Sequence, residues 1–187
     1  MSKIGEIILL FYIISVIAVV PLWYKLSFKI GIKRVALIGA VMLSCMSIPL
    51  LFVPVGPRGL PLAITILILA GCADGAIISM TMPIFSSVID EAAVSTGKRQ
   101  EGLYNGTHLF FSRIGIAYTA IVFWIVRTFT GYKSGSTNPA ELMGLRIQMA
   151  LFPLLIVFIG IFIFWKFYNI TSEQIESNAK KLRELDL

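Results

Sequence analysis

Five long apolar stretches, each almost free of charge, dominate this sequence of 187 residues. A helix that crosses the hydrocarbon core of a bilayer needs roughly 20 mostly apolar residues. The five stretches have about that length, and they lie at residues 4–24, 35–53, 60–83, 108–127 and 147–167. The sequence therefore predicts an all-α integral membrane protein, in which residues 1–170 form a bundle of five transmembrane helices.

The composition excludes a soluble enzyme. Apolar residues make up 57% of the chain and charged residues 14%, whereas a soluble domain has about 45–50% and about 25%. Cys45 and Cys72 both lie inside apolar stretches, and His108 has no neighbour with which to bind a metal ion. We therefore expect no catalytic residue, no metal site and no resident cofactor.

The first apolar stretch has two interpretations. Lys3 precedes an apolar core, as in a secretory signal peptide. However, Glu6 interrupts the start of that core, and no pair of small residues marks a cleavage site before Pro21. We expect a retained transmembrane helix, and a signal anchor is the alternative.

The basic residues are distributed unevenly between the two sides of the predicted bundle. Arg113 lies inside the fourth span, while ten other Lys and Arg residues lie on one side and five on the other. The ten are Lys25, Lys29, Lys33, Arg34, Lys98, Arg99, Lys166, Lys180, Lys181 and Arg183, and the five are Lys3, Arg58, Arg127, Lys133 and Arg146. Because cytoplasmic loops carry the excess of Lys and Arg, we expect a multi-pass protein of the cell membrane with an external N-terminus and a cytoplasmic C-terminus. The net charge of +6 is then a topology signal, so the expected partner is the lipid bilayer and not nucleic acid.

Residues 171–187 form a polar tail after the last span. Thr171 and Gln174 have the spacing of a capping box at a helix start. The apolar residues that follow recur at helical spacing, and they are Ile175, Ala179, Leu182 and Leu185. The sequence predicts a short amphipathic cytoplasmic helix, and a frayed, solvated tail is the alternative.

Asp74 is a carboxylic acid deep inside the third span. An ionisable residue at this depth is costly and usually faces a polar cavity or a partner. Gly71 and Gly75 flank it at the spacing of a close helix contact. We predict that Asp74 contributes to substrate binding. The alternative is a protonated carboxyl group that is hydrogen-bonded to a neighbouring helix.

Arg113 is the second charge inside a span. It shares one helical stripe with Trp124, and the residues between them on that stripe are the small Ala117 and Ala120. Small residues between a cation and an aromatic ring leave space along the helix, as the wall of a polar cavity would. We predict that Arg113 and Trp124 line a substrate cavity, and an arginine that snorkels to the membrane surface is the alternative.

Charges of both signs surround a Thr96-Gly97 turn signal between the third and fourth spans. They are Asp90, Glu91, Lys98 and Arg99. Such residues can form ion pairs that hold a gate closed, but exposed pairs are each worth about 0–1 kcal/mol, so a gate requires a network. The alternative is a solvated loop.

The run from Asp90 through Thr96-Gly97 and Arg99 to Glu101-Gly102 resembles the segment D-x-x-D-E-x-x-x-x-T-G-x-R-x-E-G of the glycoside–pentoside–hexuronide:cation symporters. These are the melibiose-permease-like branch of the major facilitator superfamily. The segment PLWYKLSFKIGIKR resembles the basic cytoplasmic motif of that superfamily. Ser87 and Phe28 stand where the family patterns have Asp, and the residues that match the basic motif are Lys29, Gly31, Lys33 and Arg34.

The resemblance implies that the five spans correspond to helices eight to twelve, which is most of the C-terminal half of a twelve-helix transporter. It also implies that Lys29 and Arg34 belong to the cytoplasmic gate, and that Arg113 stands where the family commonly has Lys. The coupling cation implied by the family is Na⁺ or H⁺. The family's acidic cation ligands lie in the N-terminal half, so we expect that half as a missing partner.

Three functions remain open from the sequence. The first is part of a secondary active transporter, which carries out cation-coupled symport of a sugar, glycoside or similar small polar solute by alternating access. The second is a truncated or non-transporting membrane subunit or gene remnant. The third is transport of a lysolipid within the same fold. Arg113 and Asp74 favour a polar solute.

Overall fold

The computed structural model describes residues 3–54, 56–131 and 138–184, and the regular elements in these ranges are all helical. The six α-helices are α1 (Lys3–Ile30), α2 (Ile32–Ser47), α3 (Leu60–Thr96), α4 (Glu101–Thr130), α5 (Pro139–Phe167) and α6 (Ser172–Glu184). Two short 3₁₀ turns, Ile48–Phe52 and Pro57–Gly59, join α2 to α3. Five helices among the described residues are long and apolar enough to cross a membrane. The predicted fold class, an all-α membrane protein with five transmembrane helices, is confirmed.

The helices extend beyond the apolar stretches from which they were predicted. Helix α1 continues past residue 24 to Ile30, and α3 continues past Pro83 to Thr96. Helix α4 begins at Glu101, before the apolar stretch starts at residue 108. Lys, Arg, Glu and Gln are good helix formers, so the end of an apolar stretch does not end a helix.

Glycines with a positive φ end three of these helices, and Gly131 after α4 is one of them. Gly31 has a φ of 87° and separates α1 from α2, while Gly97 has a φ of 65° and ends α3. The N–H of Gly97 donates to the carbonyl oxygen of Ala93 at 2.9 Å, which closes the last turn of α3. We call this side of the bundle, which also carries α6, the Gly97 end.

These longer helices correct the predicted placement of the gate residues. Asp90 and Glu91 were expected in a loop, but both lie in α3, and the α3–α4 connection consists only of residues 97–100. Lys29 and Arg34 likewise lie in α1 and α2, with Gly31 alone between the helices. The loop placement was wrong because no residue before Gly31 or Gly97 interrupts the helix.

Helix α3 is the centre of the bundle and packs against both α1 and α2. Small residues make these contacts close. A Cβ added at Gly39 of α2 would lie 2.6 Å from the Cβ of Ala76, and Ala73 and Ala76 are fully buried in α3. On the α1 side, the indole N–H of Trp23 donates to the carbonyl oxygen of Cys72 at 2.8 Å. The α1–α2–α3 group therefore forms the best-packed part of the protein.

Helices α4 and α5 are attached more loosely. Helix α5 packs against α2, and α4 packs against α5 through the buried Val122 and Val126. Gly144 of α5 lies so close to Thr130 that a Cβ there would collide with the threonine side chain. Near the other end of α4, His108 contacts the ring of Phe85 with centroids 5.1 Å apart. Most of the surface of α4 remains exposed among the described residues.

Helix α6 packs against the Gly97 end of α3. The N–H of Thr171 donates to Gln174 Oε1 at 2.8 Å, and the N–H of Gln174 donates to Thr171 Oγ1 at 3.2 Å. These are the two bonds of a capping box. Asn178 and Leu182 are buried against the bundle. Leu185 lies outside the described residues.

Candidate functional site

Asp74 lies in the contact between α1 and α3. The hydroxyl group of Tyr12 in α1 donates a hydrogen bond to Asp74 Oδ2 at 2.8 Å. The carboxyl group is half-buried and lies roughly 21 Å from the start of α3, at 1.5 Å per residue. Asp74 therefore has a specific partner on a neighbouring helix, and its second oxygen remains able to accept a further hydrogen bond.

The two glycines beside Asp74 bring α1 close enough for that bond. A Cβ at Gly71 would collide with Ser15 Oγ, and a Cβ at Gly75 would lie 2.6 Å from Val19 Cγ2. Ser15 in turn donates to the carbonyl oxygen of Tyr12 at 2.7 Å. The predicted close packing at Gly71 and Gly75 is thus what holds Tyr12 opposite Asp74.

Arg113 lies on a side of α4 that no described helix covers. The four residues of its stripe are all exposed, and they are Arg113, Ala117, Ala120 and Trp124. Trp124 is 66% exposed. Val122 and Val126, which pack against α5, project from the opposite side of the helix, since nine residues turn a helix by about 180°. This geometry leaves the stripe open to a cavity or to further helices.

The structure does not bring Asp74 and Arg113 into contact. Asp74 points into the α1–α3 contact and bonds to Tyr12, whereas Arg113 is exposed on α4. The ion pairs found among the described residues do not include either side chain. A role for the two residues in one substrate cavity stays a prediction.

Arg99 connects the end of α3 to the start of α4. Its guanidinium lies 3.9 Å from Asp90 Oδ1 and 3.2 Å from Glu101 Oε1. The side chains of Arg99 and Glu101 are about half exposed, so solvent screens each pair and its contribution is about 0–1 kcal/mol. Asp90 and Arg99, both predicted gate residues, do come together here.

Glu91, another predicted gate residue, contacts the C-terminal helix. The amide of Asn178 in α6 donates to Glu91 Oε2 at 2.6 Å. Asn178 is 5% exposed, so this bond is largely sheltered from water. Glu91 therefore holds α6 against α3.

A second polar contact joins the α5–α6 connection to α3. The hydroxyl groups of Ser87 and Tyr168 lie 2.8 Å apart and both residues are buried. Because Ser87 already donates to the carbonyl oxygen of Ile84 at 2.7 Å, Tyr168 is the donor in this pair. Burial raises the pKa of Tyr168 above its ordinary value of 10.0. The phenol is therefore neutral at physiological pH and keeps its proton for this bond.

The remaining predicted gate residues do not join the network. In the described part of the chain, Lys29, Arg34 and Lys98 form no ion pair. All three side chains are exposed at the Gly97 end. A gate role for the whole set stays a prediction.

The sequence alone did not identify Tyr12, Tyr168, Asn178 or Glu101 as partners in these contacts. For Asn178 a signal was available, because it lies three residues after Ile175 and four before Leu182, on the apolar stripe of the tail. A polar residue on that stripe is expected to need a partner. No comparable signal distinguished Tyr12 from the other aromatic residues of the spans.

Comparison with known proteins adds independent information. A model of the MFS/sugar transport protein family matches residues 3–172. The chain is 26% identical over 179 residues to a glucuronide carrier protein homolog of Escherichia coli (strain K12), and the match covers 92% of this chain and 38% of that relative. It is 30% identical over 99 residues to the putative glycoside/cation symporter YagG of the same organism, covering 52% of this chain and 21% of that relative. The chain thus spans well under half the length of these curated relatives.

Proposed function

The chain belongs to the MFS/sugar transport protein family, among carriers similar to the glycoside–pentoside–hexuronide:cation symporters, and from this premise we propose that it forms part of a secondary active transporter. Its proposed activity is symport of a sugar, glycoside or similar small polar solute, coupled to Na⁺ or H⁺. Carriers of this type bind their solute near mid-membrane and expose it to the two sides alternately. The family is one of transporters and not of enzymes.

The observation that carries the proposal is the exposed stripe of α4. A guanidinium at membrane depth is tolerated when it faces protein or water and is costly when it faces lipid. Arg113 and Trp124 leave space between them on this stripe and are not covered by α5. Arginine can donate to several hydroxyl groups of a sugar at once, and an aromatic ring offers an apolar surface to a sugar ring. The stripe is therefore suited to one wall of a solute cavity.

We propose that further transmembrane helices, outside these 187 residues, form the opposite wall. The coupling cation would be bound there, since the resemblance assigns its acidic ligands to the other half of the carrier. The curated relatives are much longer than this chain, which supports the proposal of a larger assembly. Asp74, with one oxygen bonded to Tyr12, is the proposed acceptor for a solute hydroxyl group on the α3 side.

Substitution of Arg113 tests the cavity. In the assembled carrier, Arg113→Ala should lower solute uptake about 10- to 100-fold, because a hydrogen bond to a charged group contributes about 1.5–3 kcal/mol. Uptake of a radiolabelled glycoside into vesicles, normalised to the amount of inserted protein, measures this. Arg58→Ala, which removes an exposed arginine from the turn between α2 and α3, is the control and should transport normally. Normal uptake by Arg113→Ala would make the arginine a snorkelling side chain.

The isolated chain provides a second test. Reconstituted alone in vesicles, the 187 residues should catalyse no uptake that depends on a Na⁺ or H⁺ gradient, because the open stripe has no opposite wall. Addition of the complementary helices should restore uptake. If the complemented assembly is inserted and folded but transports no solute, the non-transporting alternative is correct.

The proposed orientation places the N-terminus outside and the C-terminus in the cytoplasm. In a background with Cys45→Ser and Cys72→Ala, a cysteine at Ser177 of α6 should react with a membrane-impermeant maleimide only after the membrane is opened. A cysteine at Ser134, which lies outside the described residues, should react in intact cells. Labelling of both positions from the same side would contradict the orientation.

A further inference from the structure

Two cavities of different chemistry lie one after the other along α2. The first, of about 460 Å³, lies at the Gly97 end between the start of α2 and the α5–α6 connection. Its polar lining residues are Lys33, Arg34, Asn169, Thr171 and Ser172. No carboxylate occurs among the described residues that line it. This cavity, the basic cavity, therefore suits an anion.

The second cavity is a groove of about 550 Å³ between α2, α3, α5 and the His108 region of α4. Its lining is almost entirely apolar and includes Ala36, Leu37, Ala40, Phe85, Ile161 and Phe164. The apolar groove lies on membrane-spanning helices, so hydrocarbon can enter it from the bilayer. Its volume falls within the roughly 300–1,000 Å³ of ordinary ligand pockets.

The two cavities are neighbours along α2 and α5, although no described residue lines both. Lys33 lines the basic cavity, and Leu37, one helical turn further along α2, lines the apolar groove. On the other wall, Phe164 of α5 lines the groove and Asn169 lines the basic cavity. The Lys33 ammonium group donates to the carbonyl oxygen of Trp165 at 3.0 Å and lies at the boundary between them. The basic cavity and the apolar groove therefore lie side by side, at a spacing that one ligand with a charged end and an apolar end can bridge.

We propose that the two cavities together bind one anionic phospholipid of the bilayer, with its phosphate in the basic cavity and an acyl chain in the apolar groove. Arg34, exposed and without an ion-pair partner among the described carboxylates, provides several N–H donors for phosphate oxygens. Basic pockets beside transmembrane helices are where lipid headgroups of this charge bind. The bound lipid would link α2 to the α5–α6 connection. This inference does not depend on the transported solute.

The proposal is tested by measuring lipid binding to the full chain in detergent with native mass spectrometry. The probes are phosphatidylglycerol and phosphatidylcholine with identical acyl chains, and inorganic phosphate as a competitor. We expect phosphatidylglycerol to bind about tenfold more tightly than phosphatidylcholine, because each basic residue at a membrane surface favours an anionic lipid. Tenfold excess inorganic phosphate should not displace the lipid.

Two variants separate the charged end from the apolar end. Arg34→Gln should remove most of the preference for phosphatidylglycerol while leaving the weaker binding of phosphatidylcholine unchanged. Gly160→Leu should weaken the binding of both lipids, because Gly160 lines the groove and a Cβ there meets no atom within 4 Å. The leucine side chain therefore occupies the groove without forcing the backbone apart.

Matched controls decide the outcome. Lys25→Gln removes an exposed charge from α1 at the same end, and Gly115→Leu adds a side chain in open space on α4. Both should bind the two lipids as the unmodified chain does. Equal binding of the two lipids by the unmodified chain, or equal losses in Arg34→Gln and Lys25→Gln, would overturn the proposal. Displacement of the lipid by inorganic phosphate would overturn it as well, because the basic cavity would then be a site for free phosphate.

Discussion

The α1–α3 contact and the exposed stripe of α4 place polar residues at membrane depth in different ways. In the α1–α3 contact, Gly71 and Gly75 allow close approach and Asp74 bonds to Tyr12. On α4, Arg113 lies beside small residues as well, but no described helix approaches them. Small residues next to an intramembrane charge therefore have two meanings. They permit a close contact when a helix is opposite, and they leave space for a solute when none is.

The largest expected effect comes from filling the α1–α3 contact. Gly71→Leu should destabilise the purified chain by about 3 kcal/mol, since the added side chain collides with Ser15 and the helix backbones must separate. Gly115→Leu, on the open part of α4, should change stability by less than about 0.5 kcal/mol. The free energies of unfolding of both variants in detergent, measured by circular dichroism, give the comparison. Equal stabilities would show that the two regions are packed alike.

A smaller effect is expected from the hydrogen bond at Asp74. Tyr12→Phe should destabilise the chain by about 1–2 kcal/mol, because it leaves a half-buried carboxyl group without its donor. Asp74→Ala should cost less in the Tyr12→Phe background than in the unmodified chain, because the hydrogen bond between the two residues is already absent. The same unfolding measurement applies. If Tyr12→Phe is as stable as the unmodified chain, Asp74 has another partner in solution.

The smallest effect is expected at the Gly97 end. Arg99→Gln should cost less than about 1 kcal/mol, and the cost should decrease further at high salt, because its two ion pairs are exposed. Unfolding at low and high ionic strength checks both statements. A loss of several kcal/mol, independent of salt, would indicate that Arg99 is buried by a partner in the assembled protein.

The features of the fold that depend on apolar length and residue type within a single helix could be predicted from the sequence. The five spans and the close packing at Gly71 and Gly75 follow from patterns within one helix. The helix ends were less accessible, because polar residues continue a helix beyond the bilayer until a glycine such as Gly97 changes the backbone direction. Apolar length therefore locates a span but underestimates its helix.

Contacts between distant residues could not be predicted from one sequence. Tyr12 and Asp74, or Glu91 and Asn178, become neighbours only through the angles at which their helices cross. Those angles depend on many side chains at once. The Ser87–Tyr168 pair shows the same limit, since Ser87 was noted only as a departure from the family pattern.

The unbroken length of α3 gives it a mechanical property. One continuous helix connects Asp74 to Glu91, which lie roughly 25 Å apart at 1.5 Å per residue, and Pro83 lies near the middle of this segment. With Asp74 as the pivot, a tilt of about 10° moves Glu91 by roughly 4 Å, as follows from that rise per residue. This displacement is larger than the 2.6 Å that separates Glu91 from Asn178. When α3 tilts without bending at Pro83, it acts as a lever, and a small motion at membrane depth must either carry α6 along or release it.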